Sequence, residues 1–144
     1  MHKTRWTVMS LAVMTCVLST TTIAAAAPGA EPGVKVEKAV IHVGADGEKV
    51  ATISGTYSCS GAGDEKYIGV FIEIAQKQPT LALGATAHIR PCPAVNRRWV
   101  TDVVAATGEY NPGKADYLAM LKNIKTGENF GEVRAEIDLI RSAR

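Results

Sequence analysis

From Val34 onward the chain keeps returning to one pattern: apolar and polar residues alternate, and clusters of Gly, Pro, Asn or Asp interrupt the alternation. A period of two sends successive side chains to opposite faces of a β-strand, whereas a helix needs a period near 3.6. In Lys49 to Cys59, Ala51, Ile53, Gly55, Tyr57 and Cys59 fall on one face and Thr52, Ser54, Thr56 and Ser58 on the other. In Tyr67 to Lys77, Ile68, Val70, Ile72 and Ile74 share a face, opposite Glu73 and Lys77. In Leu81 to Arg90, Leu81, Leu83, Ala85, Ala87 and Ile89 alternate with Thr86, His88 and Arg90. At the C-terminus Val133, Ala135, Ile137 and Leu139 oppose Glu132, Arg134, Glu136 and Asp138, a face polar enough to require water.

Three further segments complete the set. Val34 and Val36 begin an alternation that slips near Lys38 to Ala39, Ile41 and Val43, as a β-bulge would cause. Asp46-Gly47 then marks a hairpin turn. Arg98 to Ala106 reads as a fifth strand, after a Pro-stiffened loop opened by Pro91-Cys92-Pro93. Lys114 to Ile124 has helix-forming composition, but Ala115, Tyr117, Ala119 and Leu121 alternate and Lys125-Thr126-Gly127-Glu128 resembles a hairpin turn. Strand is the preferred reading there and helix the alternative. Seven short strands with regular turns predict an all-β fold, a two-sheet antiparallel sandwich.

Ahead of this domain, residues 1–27 read as a secretory leader. His2, Lys3 and Arg5 precede an uncharged stretch from Trp6 to Ile23, and Ala24 to Ala27 supply a small-residue exit near Ala26–Ala27. The rival, a retained anchor, has an apolar centre only marginally long enough to span a bilayer. Cys16 follows Thr15, a poor fit to a lipid-attachment site, and is expected to leave with the leader. Residues 28–33 form a flexible lead-in and 34–144 the folded domain. Export would remove Lys3 and Arg5 from the 16 basic residues and none of the 14 acidic ones. The near-neutral product offers no global field for a polyanion, which argues against a nucleic-acid partner.

Cys59 and Cys92 then remain, and an even pair in an exported chain predicts a disulfide. Two metal-binding thiolates are the alternative, but no C-x-x-C, H-x-x-x-H or Cys-His pair at ligand spacing accompanies them.

Several of these residues carry a family likeness. Gly55-Thr56-Tyr57-Ser58-Cys59 closes a strand; a Val/Ile-rich strand ending in Gln76, then Cys92, Trp99 and Gly113-Lys114-Ala115 follow. This resembles the small secreted immunoglobulin-like domains of unknown function found in actinobacteria. The resemblance implies an immunoglobulin-like β-sandwich and brings no activity with it. Cys92 follows the fourth predicted strand, which departs from the B–F bridge of antibody domains.

Candidate sites are sparse. Arg90, Arg97 and Arg98 gather near Trp99 as a candidate patch for an anionic glycan or lipid headgroup, with Trp99 as a stacking surface. The competing reading buries Trp99 against the disulfide and leaves the arginines solvated. His42 and His88 sit within strands and read as ordinary exposed histidines. Ser60, His88 and Asp64 could be written as a catalytic set, but no Gly-x-Ser-x-Gly elbow supports it. Gly61-Ala62-Gly63-Asp64 lacks the Lys-Ser/Thr of a phosphate loop, and Asp64 and Glu65 offer too few oxygens for Ca²⁺. The expectation is a non-enzymatic binding or structural module of the cell envelope or medium, without cofactor or metal, whose partner would be a protein or an envelope glycan. The alternative is a protease inhibitor presenting the loop Pro91 to Arg98.

Overall fold

The computed structural model describes residues 31–143. The expected leader and the first residues of the expected lead-in lie outside the described residues. Seven strands account for most of the described chain: β1 (Gly33–Val43), β2 (Lys49–Cys59), β3 (Ile68–Gln76), β4 (Ala82–Ile89), β5 (Ala94–Val104), β6 (Gly113–Asn123) and β7 (Asn129–Arg141). A 3-10 turn, Gly63–Tyr67, precedes β3. The Lys114–Ile124 segment is thus a strand, paired on both sides.

All seven strands belong to one sheet in the order β4-β3-β6-β7-β1-β2-β5. It is mixed, not purely antiparallel, because Ala39–Ile41 of β1 run parallel to Leu139–Arg141 of β7. The parallel pairing follows from the chain direction of β1 and β7, and β1 also carries an irregularity of its own. Its register against β2 shifts between Val36 and Lys38, where the sequence slips phase. Such a bulge bends a strand and increases its twist, and beyond it Ala39–Ile41 pair with β2 on one side and β7 on the other. Gly55 lies opposite this bulge, where a Cβ would run into the Lys35 carbonyl.

The sheet curls into a half-barrel around one core. Ile53, Tyr57, Trp99 and Val103 from one end of the strand order join Ile68, Ile72, Ile74 and Leu121 from the other in a single buried cluster. Hydrogen bonds and a disulfide draw the two ends together. The Leu83 amide donates to the Thr107 carbonyl (3.0 Å) and the Ala106 amide donates to the Leu83 carbonyl (2.7 Å). Cys59, ending β2, is bonded to Cys92, just after β4. That disulfide is compatible with an extracellular location. No helix among the described residues is long and apolar enough to cross a membrane.

A further expectation needs correction. Ala94 to Arg98 belong to β5 and pair with β2 (Ala94 with Cys59, Arg97 with Tyr57, Arg98 with Thr56). The stiff loop therefore shrinks to Arg90–Pro93, and neither Arg97 nor Arg98 is presented on a protruding loop. On β4 the buried residues are Ala82 and Gly84, while Leu83 is 40% exposed and Ile89 70% exposed. Its apolar alternation points outward. Tyr110 explains the inversion. It comes from a loop yet is fully buried, and its hydroxyl occupies the space into which a Gly84 Cβ would project. The core volume opposite β4 is filled from the loop, so β4 must offer its small residues inward.

Gln76, buried at the end of β3, fixes that loop. Its side-chain amide donates to the Asn111 carbonyl (2.7 Å), and the Asn111 amide donates back to Gln76 Oε1 (2.8 Å). This pairing satisfies both ends of a buried polar group and sets the position of the residue after Tyr110.

Candidate binding faces

The reversed phase of β4 creates a concavity on the outer surface of β3, β4, β6 and β7. Three consecutive cross-strand rows build it: Leu83–Ala75–Asp116–Glu136, Gly84–Ile74–Tyr117–Ala135 and Ala85–Glu73–Leu118–Arg134. Alternation sends the side chains of the first and third rows outward, and the middle row supplies the backbone floor between them. Ala75 and Ala85 are short, so the surface sinks between the larger Leu83 and Leu118. The result is a trough of about 770 Å³, with Ala106 at one side.

Its chemistry is divided. Leu83, Ala75, Ala85 and Leu118 give an apolar bed. Asp116, Glu136 and Arg134 stand along the β6–β7 side, each held by a neighbour outside the trough: Asp116 by Lys77 (3.0 Å), Glu136 by Lys114 (3.1 Å) and Arg134 by Glu132 (2.7 Å). Lys114 also reaches Asp138 (3.3 Å), and the two carboxylates raise its pKa. The Arg134 guanidinium lowers the Glu132 pKa. Glu73 is exposed between Ala85 and Leu118 and forms no ion pair among the described residues. Arg134, in the same cross-strand row, feels its charge without forming an ion pair with it. Beyond the trough, Lys125 and Lys66 lie 3.5 and 4.9 Å from the centre of the Tyr67 ring, and their ammonium groups pull the phenol below its ordinary pKa.

The opposite outer surface, on β1, β2 and β5, differs in kind. Thr52, Ser54, Thr56 and Ser58 form a hydroxyl ladder along β2. His42 Nδ1 is 3.1 Å from Thr52 Oγ1, which donates to Asp102 (2.6 Å). That chain places the threonine between histidine and acid, which differs from a base activating a nucleophile with its own acid behind it.

The arginine–tryptophan patch expected from the sequence does not assemble. Trp99 is 1% exposed, and its indole N–H donates to the Thr56 carbonyl (3.2 Å), so its ring belongs to the core and offers no stacking surface. Arg97 and Arg98 are exposed on opposite faces of β5, since adjacent strand residues alternate. Arg90 is half-buried and donates to the Val100 carbonyl (2.8 Å) at the β5 edge. Tyr57 donates to the Pro91 carbonyl (2.7 Å), tying the short loop to the core; burial raises its phenol pKa against the opposing pull of Arg97 and Arg90.

The remaining candidates lie apart. His88 is exposed on β4, 3.3 Å from Thr86 Oγ1, and Ser60 Oγ accepts from the Ala62 amide (3.2 Å). Among the described residues no group of three or more His, Cys, Asp or Glu side chains is arranged to hold a metal ion.

The trough itself escaped sequence reasoning. Its signal was present, an apolar period on β4, but that signal reads equally as a core face. No family model matches the chain, and no curated protein is significantly similar to it.

Proposed function

We propose that the protein is exported, loses its leader near Ala26–Ala27, and works outside the cell as a non-enzymatic binding module. The trough carries this reading. It is an outward, apolar bed on the rigid strands β3, β4, β6 and β7, with one unpaired carboxylate, Glu73, set into it. Small apolar concavities with a few placed polar groups are where proteins hold ligands. The fitting partner is a protein segment with apolar side chains and a Lys or Arg opposite Glu73.

The sheet is read as an immunoglobulin-like sandwich of two layers, akin to the small secreted domains that the sequence resembles. β1 is the strand shared between β2–β5 on one side and β7–β6–β3–β4 on the other, and one core draws on both groups. Layered packing of two inner faces around one core is the sandwich arrangement.

Selection of random peptides on the oxidised protein tests the binding reading. The enriched peptides should combine apolar residues with a flanking Lys or Arg. Leu118→Arg should weaken their binding by at least about tenfold, the loss of a desolvated anchor contact. Circular dichroism of the variant should stay unchanged. Enriched peptides that bind Leu118→Arg and Glu73→Lys undiminished would place the binding surface elsewhere.

A further inference from the structure

We infer that the outer face of β1, β2 and β5 is a second binding site, for a polysaccharide carrying regularly spaced anionic groups. Cross-strand register carries the inference. Thr56 of β2 pairs with Lys35 on β1 and Arg98 on β5, so one row reads Lys35–Thr56–Arg98. In the next outward row Ser54 pairs with Lys38 and Val100. Three cations thus flank a central strand of hydroxyls. Two strand spacings put Lys35 and Arg98 about 10 Å apart at the backbone, and the rows repeat about every 7 Å along the strands. Arg90 extends the charge along the β5 edge, where its Nη2 holds the Val100 carbonyl while its buried Nε has no hydrogen-bond partner.

The charges here are uncommitted. Lys35, Lys38 and Arg98 make no ion pair among the described residues, whereas Lys77, Lys114 and Arg134 around the trough all do. Two acids belong to the same surface. Glu37, the extra residue of the β1 bulge, is exposed, and Asp102 accepts from Thr52. Four cations against these two leave the face positive, although the whole chain carries a formal charge of only +2. A near-neutral protein that concentrates cations on one flat face has a local site and not a general affinity for polyanions.

The hydroxyls select the class of polyanion. Ser54 and Thr56 are half-buried on the central strand, and Val100 lies beside them as a small apolar platform. Sugar rings offer hydroxyls to the first two and C–H faces to the third, while their sulfate or carboxylate groups meet the flanking Lys and Arg in charge-assisted hydrogen bonds. A bilayer would call for protruding aromatic or long apolar anchors, and the Lys35–Thr56–Arg98 and Lys38–Ser54–Val100 rows carry none.

Titration of the oxidised protein with heparin and with polygalacturonate, at low and at raised salt, tests this. Binding of at least one is expected, weakening as salt screens the exposed charges. Amide shifts should centre on Lys35, Thr56 and Arg98. The variant Lys35→Ala/Lys38→Ala/Arg98→Ala should bind at least about tenfold more weakly. Lys49→Ala/Lys125→Ala/Arg141→Ala, which removes the same charge elsewhere, should change affinity less than about twofold. These margins follow from a few exposed charge contacts of modest strength. The heparin and polygalacturonate arms separate sulfate from carboxylate recognition. Failure to bind either polysaccharide at low salt, equal losses in both triple variants, or preference for phosphatidylglycerol vesicles or duplex DNA would overturn the inference.

Discussion

The two outer faces of this sheet are built from the same alternation and end with opposite characters. On β2 the polar set faces out and the apolar set in, as a one-sided strand should. On β4 the apolar set faces out, because Tyr110 has taken the interior space and only Ala82 and Gly84 fit beneath it. One face therefore presents hydroxyls and unpaired cations, the other an apolar trough whose charges are mostly paired. The difference shows that the outward chemistry of a strand is set partly by what a distant loop places behind it.

The disulfide joins these two regions, since Cys59 ends β2 and Cys92 follows β4. Closing a loop over a sequence separation of 33 is worth about 3.5–4 kcal/mol in the chain-entropy model. Cys59→Ser/Cys92→Ser should lose an amount of that order in urea denaturation, the largest single effect expected here. A loss below about 1 kcal/mol would mean that the Leu83–Thr107 contact and β1 hold the halves together unaided.

A pair of substitutions on β4 sharpens the comparison. Gly84→Ala drives a Cβ into the Tyr110 hydroxyl and the Val104 carbonyl, an overpacking expected to cost about 1–3 kcal/mol. Leu83→Ala removes a partly exposed side chain and should cost less than about 1 kcal/mol. A core-facing leucine would cost about 2–5 kcal/mol, so denaturation of the two variants decides the phase of the strand.

Tyr110 gives the smallest effect and a sign that depends on pH. Its buried hydroxyl has no hydrogen-bond partner, and burial pushes its pKa up to about 12. An unfolded tyrosine ionises near 10, so the folded state binds the proton more tightly. The associated stability is fully present below pH 10 and is lost as pH rises from there through about 12. Tyr110→Phe should be neutral or slightly stabilising at pH 7, because it deletes an unpaired buried polar group. It should also flatten the fall in stability above pH 10. A variant as steep as the parent would locate the alkaline titration in other groups.

The strands were largely legible in the sequence. β2 matches its predicted bounds, the β1 bulge falls at the phase slip, and alternation outweighed helical composition in β6, whose neighbours on both sides supply its hydrogen bonds. The sites were not. Trp99 and the three arginines are close in sequence, but a strand sends neighbours to opposite faces, and Trp99 went to the core. The Lys35–Thr56–Arg98 row joins residues from three strands, and only register reveals it. The phase of β4 depended on Tyr110, a residue that an Asn-Pro-Gly loop gave no reason to bury.

Solvent relaxation of methyl signals by a soluble gadolinium chelate tests the reversed strand most directly. Leu83 methyls, on a residue 40% exposed, should broaden strongly and those of half-buried Leu118 less so, while Leu121 and Leu139, which are 0% and 1% exposed, should stay sharp. Leu83 methyls as protected as those of Leu121 would put β4 in its ordinary phase and remove the trough.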